Sequence, residues 1–126
     1  MHHQRLERSR QVKYADMGDS LLLKAIGNTP KLRLIDIFLT NPYFDFTKQE
    51  LAMELGMSKQ TLYKNFKDLE ELGVVVTSRR IGRATLYRID RSHPLVRQLN
   101  RITLETSKRI AEEQARKSAV PIAIRS

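Results

Sequence analysis

Cysteine is absent from this chain of 126 residues. Its absence removes disulfides, thiolate nucleophiles and cysteine-based metal sites together. Histidine is scarce as well. His2, His3 and His93 stand at none of the familiar ligand spacings, so no metal site is expected, and His2 and His3 read as part of a tail. No apolar run approaches the ~18 residues that a membrane span needs. The opening Met1-His2-His3-Gln4-Arg5-Leu6-Glu7-Arg8-Ser9-Arg10 is polar with no apolar stretch behind it, unlike a secretory signal. A Ser-His-Asp set, a glycine-rich phosphate loop and a grouping of histidines with carboxylates are all missing. Neither enzymatic activity nor a cofactor is expected.

Acidic residues are outnumbered. Lys and Arg together number 23 against 14 Asp and Glu, a net charge of +9 with a pI near 10.2. Such an excess calls for a polyanionic partner, either nucleic acid or an anionic membrane surface. Placement of the charges has to decide. A hydrophobic fraction of 40% suffices for one ordinary core, and the length fits one domain with modest extensions.

Every Gly and Pro can be read as punctuation between elements. Residues 1–15 carry Arg5, Arg8, Arg10 and Lys13 against Glu7, which reads as a flexible basic arm. A short helix is predicted from about Asp19 to Ile26, with Leu21, Leu22, Leu23 and Ile26 as its apolar side. Thr29-Pro30 opens the next helix, Lys31 to about Thr40: Thr is a good N-cap, and Pro fits the first turn because its missing N–H would be unpaired there. Tyr43-Phe44-Asp45-Phe46 alternates like one small strand. Thr47-Lys48-Gln49-Glu50 fits a capping box and opens a helix through Leu55, with Leu51, Ala52 and Leu55 inward. Gly56 and Met57 form a turn. Ser58 then caps a helix over Lys59–Leu72 with Leu62, Phe66, Leu69 and Leu72 as its inward stripe. After Gly73, Val74 to Arg80 is β-branched and strand-like, Ile81-Gly82 turns, and Arg83 to Ile89 returns. Pro94 begins a last helix to about Lys117, and the tail 118–126 is expected to be disordered.

The segment 47–72 is thus a helix-turn-helix followed at once by a β-hairpin with arginines at its tip, which is the winged arrangement. Charge supports it. Residues 58–67 hold Lys59, Lys64 and Lys67 and no acid, while 68–72 hold Asp68, Glu70 and Glu71 and no base. A recognition helix enters the major groove N-terminal end first, so its leading half should tolerate phosphates. Acids at the far end could also be chance, or pair with lysines one turn back. Burying Leu62, Phe66 and Leu69 turns Lys59, Gln60, Tyr63, Lys64 and Lys67 outward. Gln60 suits adenine, Lys suits guanine acceptors, and Ser58 and Thr61 add hydroxyls at the leading edge. Tyr63 could touch DNA or pack on the neighbouring helix. Arg79, Arg80 and Arg83, with Arg88 and Arg91 nearby and Asp90 as the one acid, suit phosphates or the minor groove; a charged edge strand that resists sheet aggregation is the alternative.

Residues about 29–90 resemble winged-helix regulators of the broad ArsR/MarR type. They are particularly similar to small archaeal-type winged-helix proteins with an N-T-P-x-L-R opening, here Asn28-Thr29-Pro30-Lys31-Leu32-Arg33, and an I-G-R-A-x-L-Y wing, here Ile81-Gly82-Arg83-Ala84-Thr85-Leu86-Tyr87. The resemblance implies a dimeric repressor or related DNA-binding factor. The cysteine cluster of metal-sensing relatives is missing, so thiol-based sensing does not carry over.

The expected fold is α+β and mostly α: a winged helix-turn-helix over 16–92 with a two-stranded wing, and a C-terminal dimerisation helix over 93–117. Leu95, Leu99, Ile102, Thr106 and Ile110 recur along that helix and are expected to meet a second copy; the alternative is a monomer whose helix folds back. The partners expected are double-stranded DNA and a homodimer mate, with no membrane, an effector left open, and a cytoplasmic, nucleoid-associated location. An architectural chromatin protein and a protein–protein adaptor are the rival readings.

Overall fold

The computed structural model describes residues 20–125, with side chains described through Ser118. Its elements are α1 (Leu21–Ile26), α2 (Pro30–Thr40), α3 (Lys48–Leu55), α4 (Lys59–Glu71), β1 (Val75–Ile81), β2 (Ala84–Ile89) and α5 (Pro94–Arg125). The arm 1–15 lies outside the described residues.

Each of the first four helices starts where a hydroxyl can accept a free N–H. Ser20 accepts from Leu23 N, Thr29 from Leu32 N, Thr47 from Glu50 N and Ser58 from Thr61 N. At Thr47 the box is complete, because Glu50 Oε1 also accepts from Thr47 N at 2.9 Å. Caps of this kind contribute about 1 kcal/mol each. Between α3 and α4, Gly56 takes φ +63°, the left-handed conformation that closes a helix without strain for glycine alone.

α2 is the central helix. Leu34, Ile37 and Phe38 are fully buried and meet Phe46, Leu51, Leu62, Phe66, Val75 and Ile89 in one core. Phe38 and Phe46 pack edge to face at 5.5 Å, as do Phe66 and Tyr87 at 4.8 Å. These contacts lock α2 across both helices of the helix-turn-helix and onto the base of the hairpin.

Four expectations need correction. Ile26 and Leu72 are not inward but exposed, Leu72 at 60%, because each sits at a helix end beyond the last packed turn. Tyr43–Phe46 is no strand; only Phe46 bridges, pairing with Tyr87. The hairpin turn is Gly82-Arg83 rather than Ile81-Gly82, since Ile81 still pairs with Ala84. Of the two turn residues Gly82 alone takes positive φ, at +60°, the pattern of a two-residue turn with Gly in first place. Finally, α5 continues past Lys117 to Arg125.

The sheet has β1 and β2 antiparallel, with a register shift between Thr77 and Arg79. Helix-turn-helix plus hairpin makes the fold a winged helix-turn-helix. α1 packs on α2 and on the start of α5, where Val96 is buried and Leu99 reaches the core.

Candidate nucleic-acid interface

α4 presents its leading half to solvent. Lys59, Gln60, Tyr63, Lys64 and Lys67 are all exposed, while Leu62, Phe66 and Leu69 face the core. Ser58 and Thr61 are engaged with each other: Ser58 Oγ donates to Thr61 Oγ1 at 2.9 Å and accepts from Thr61 N at 3.1 Å. Both hydroxyls therefore fix the start of the helix before they can reach anything else. Tyr63 stays exposed, with the Lys48 and Lys59 ammoniums 4.9 and 5.6 Å from its ring centre.

The trailing acids have partners that sequence spacing does not reveal. Asp68 pairs with Lys31 of α2, and Glu70 lies 3.8 Å from Lys48 of α3. The Lys31 hydrogen bond and charge hold the Asp68 carboxyl below the usual carboxylate range. Asp68 and Glu70 thus answer lysines on other helices, and the charges of Lys67 and Lys64 act on Asp68 as lesser contributions.

Lys48 was not singled out from the sequence. As the first residue of α3 it looks like an ordinary capping-box filler, yet its ammonium sits about 5 Å from the rings of Tyr63 and Phe66 and 5.4 Å from that of Tyr87. Cation–π contact at three rings joins α3, α4 and the hairpin. Arg33 is another such joint: its guanidinium donates to the carbonyl of Leu55, the last residue of α3.

On the hairpin the arginines divide. Arg79 Nε donates to Asp45 Oδ2 at 2.8 Å, and Ser78 Oγ donates to the same oxygen at 2.9 Å. Partial burial pushes Asp45 up, but the hydrogen bonds from Arg79 and Ser78 and the Arg79 charge outweigh it and hold the carboxyl low. The Arg79 side chain still keeps 59% exposure. Arg80 and Arg83 are exposed and pair with no acid among the described residues. Arg91 is set apart, stacked on Tyr43 at 4.4 Å. Among the described residues, the tip accordingly offers two guanidiniums that no acid engages.

On α5, Leu95, Ile102, Thr106 and Ile110 are exposed, whereas Leu99 packs partly against the chain's own core. Among the described residues, no helix is long and apolar enough to cross a membrane, and no group of three metal-binding side chains occurs.

This geometry is that of a helix-turn-helix module. A family model described as an HTH domain matches residues 31–82, from the start of α2 to the turn of the hairpin. Among solved structures, the chain is similar to M. tuberculosis Rv0081 at 21% identity, covering 74% of this chain and 88% of that one with a TM-score of 0.50, a likeness of fold. It also aligns with a possible transcriptional regulator from Methanosarcina mazei Go1 (18% identity, 71% and 78% covered, TM-score 0.49). A mutant of Lactococcus lactis ZitR aligns at 20% identity, with 97% and 91% covered and a TM-score of 0.47. No curated protein matches the chain.

Proposed function

We propose that this chain is a sequence-specific, double-stranded DNA-binding transcriptional regulator that acts as a homodimer. Helix α4 reads the major groove, and the hairpin tip rests on the backbone or in the minor groove. Residues 16–92 are the DNA-binding unit and 93–117 the dimerisation helix. The observation that carries the reading is the sorting of charge on α4: its leading half is basic and exposed, two of its three trailing acids, Asp68 and Glu70, are paired with Lys31 and Lys48, and Arg80 and Arg83 extend from the neighbouring hairpin. Groove reading falls to Gln60, Lys59 and Lys64, with Thr61 and Tyr63 at the edge. Lys67, Arg80 and Arg83 suit phosphates, and Ser58 acts through the helix start that it caps.

Selection from random duplexes tests the reading. A two-fold dimer should yield an inverted repeat. Gln60→Ala should relax one position per half-site, at about 1–3 kcal/mol on the preferred base, while Lys67→Ala should weaken all sequences alike. The net charge of +9 favours one rival, an architectural binder held by phosphates alone. A selection that yields no motif, with both variants behaving identically, would establish that rival. Dimerisation is checked by sedimentation of the wild type and of Ile102→Glu. Ile102 is the clean position, because Leu99 also packs in the chain's own core.

A further inference from the structure

A groove runs along the first turns of α5, where the helix meets the end of α2 and the base of the hairpin. Its apolar lining comes from Leu39 of α2, Ile89 at the end of β2, and Val96 and Leu104 of α5. Ile89 and Val96 are buried at its base, whereas Leu104 is 61% exposed. The volume, about 560 Å³, lies within the range of small-molecule sites, which join an apolar lining to a few well-placed polar groups.

The charged groups are mostly cations. Arg91, Arg97 and Arg101 line the groove against one acid, Glu105, and Arg101 holds that acid at 3.0 Å. Arg97 pairs with no acid among the described residues. Arg91 leans on Tyr43, its guanidinium 4.4 Å from the ring centre and its Nη2 donating to the hydroxyl at 3.1 Å. That bond takes one of the five N–H donors of a guanidinium.

Position narrows the occupant. No residue of α3 or α4 lines the groove, so it is separate from the surface proposed to read DNA. At 100° per residue, Arg97, Arg101 and Leu104 lie about 140–180° around α5 from Thr106. A second copy seated on Ile102, Thr106 and Ile110 therefore leaves the groove open. What fits must bring negative charge to Arg97 and Arg91 and an apolar body to Leu104. Those two ends are about 10 Å apart along the helix axis at 1.5 Å per residue, a span that a medium-length aliphatic chain covers.

We propose that this groove binds a small aliphatic carboxylate, its headgroup on Arg97 and Arg91 and its chain along Leu104 and the apolar base. The planar fork of arginine matches a carboxylate with two parallel hydrogen bonds. The inference goes beyond the DNA-binding reading and does not rest on it.

The test titrates the full chain, without DNA, with the fluorescent fatty acid dansylaminoundecanoate and then displaces it. Binding should saturate at one site per chain. Octanoate should displace the reporter, and octanol, which has the chain without the charge, should do so at least about tenfold less well. Arg97→Gln should weaken the reporter about tenfold or more, and Leu104→Asn should weaken it too. Both side chains are exposed, so both variants should keep the wild-type melting curve. Arg109→Gln removes the same charge from outside the groove and should bind like the wild type. Equal losses in Arg97→Gln and Arg109→Gln would reduce the effect to net charge and overturn the proposal. Octanol displacing as well as octanoate would overturn it, as would displacement by AMP and not by octanoate. Reporter binding that falls as chain concentration rises would put a second copy in the groove and overturn it also. Because no DNA enters the experiment, each of these failures leaves the regulator reading standing.

Discussion

Replacing Arg80 and Arg83 together with alanine perturbs the hairpin tip without touching the core, since both side chains are exposed and neither is paired with an acid among the described residues. The effect on binding should then be electrostatic. Each phosphate that a guanidinium neutralises releases counterions and adds about 0.9 to the slope of log affinity against log salt. Removing both guanidiniums lowers that slope by about 1.8. Between 50 and 200 mM salt, a fourfold range, the double variant should lose affinity about twelvefold less than the wild type does. The assay is a salt titration of binding by fluorescence anisotropy, on a selected site and on unrelated duplex, where the change should be equal. Arg79→Ala behaves differently. Its guanidinium is already engaged by Asp45 at 2.8 Å, so its removal should change the slope by less than one phosphate's worth. Asp45→Asn, which loosens that hold, should raise the slope towards one further phosphate. An unchanged slope in the Arg80/Arg83 variant would refute the placement of the hairpin at DNA and leave its arginines as protection of the exposed edge strand.

The remaining expectations concern how the reading surface is held. Folded-state values of Asp45 and Asp68 lie below the ordinary carboxylate range, so the stability from their pairs is complete above about pH 4 and is lost as pH falls through the lower folded-state values. The urea midpoint should drop on that acid side, and Asp45→Asn should flatten the drop. His93 joins two helix ends, with Nε2–H donating to the Leu72 carbonyl at 2.8 Å and Nδ1 accepting from Leu95 N at 3.1 Å; His93→Ala should cost about 1–3 kcal/mol by chemical denaturation, and His93→Asn should recover part of it through the cap. Thr47→Ala breaks the capping box and should cost about 1 kcal/mol, read as a lower melting temperature.

Local chemistry wrote the helix starts plainly into the sequence. Thr29-Pro30, Thr47 with Glu50, and Ser58 each needed only neighbours within three residues, and each cap forms as expected. Helix ends were harder to read. Leu72 continues the helical spacing of Leu62, Phe66 and Leu69, and periodicity alone assigns it inward; burial depends on whether a neighbour reaches that far, and none does. Tyr43–Phe46 failed for a similar reason. Its alternation is real, yet a strand needs a partner along its length, and only Phe46 lies against Tyr87. The hairpin turn slipped by one residue because glycine at the first or second central position fits a two-residue loop equally well from sequence.

The candidate interface divides along the same line between local and distant causes. That Lys59, Gln60, Lys64 and Lys67 turn outward follows from the 3.6-residue period and the buried Leu62, Phe66 and Leu69. Which cations remain uncommitted does not follow from any spacing. Arg79 and Arg80 are adjacent and chemically identical, but the register shift after Thr77 places Ser78 and Arg79 together over Asp45, 33 and 34 residues earlier in the chain. Arg80, one residue on, pairs with Thr85 on the ladder and stays clear of that acid. The same argument holds for Asp68 and Glu70, whose lysines lie on α2 and α3. Sequence patterning finds the face, and tertiary contacts then decide which charges on it stay unpaired among the described residues. Arg80, Arg83 and Lys67 are therefore the positions at which a phosphate contact costs the fold least.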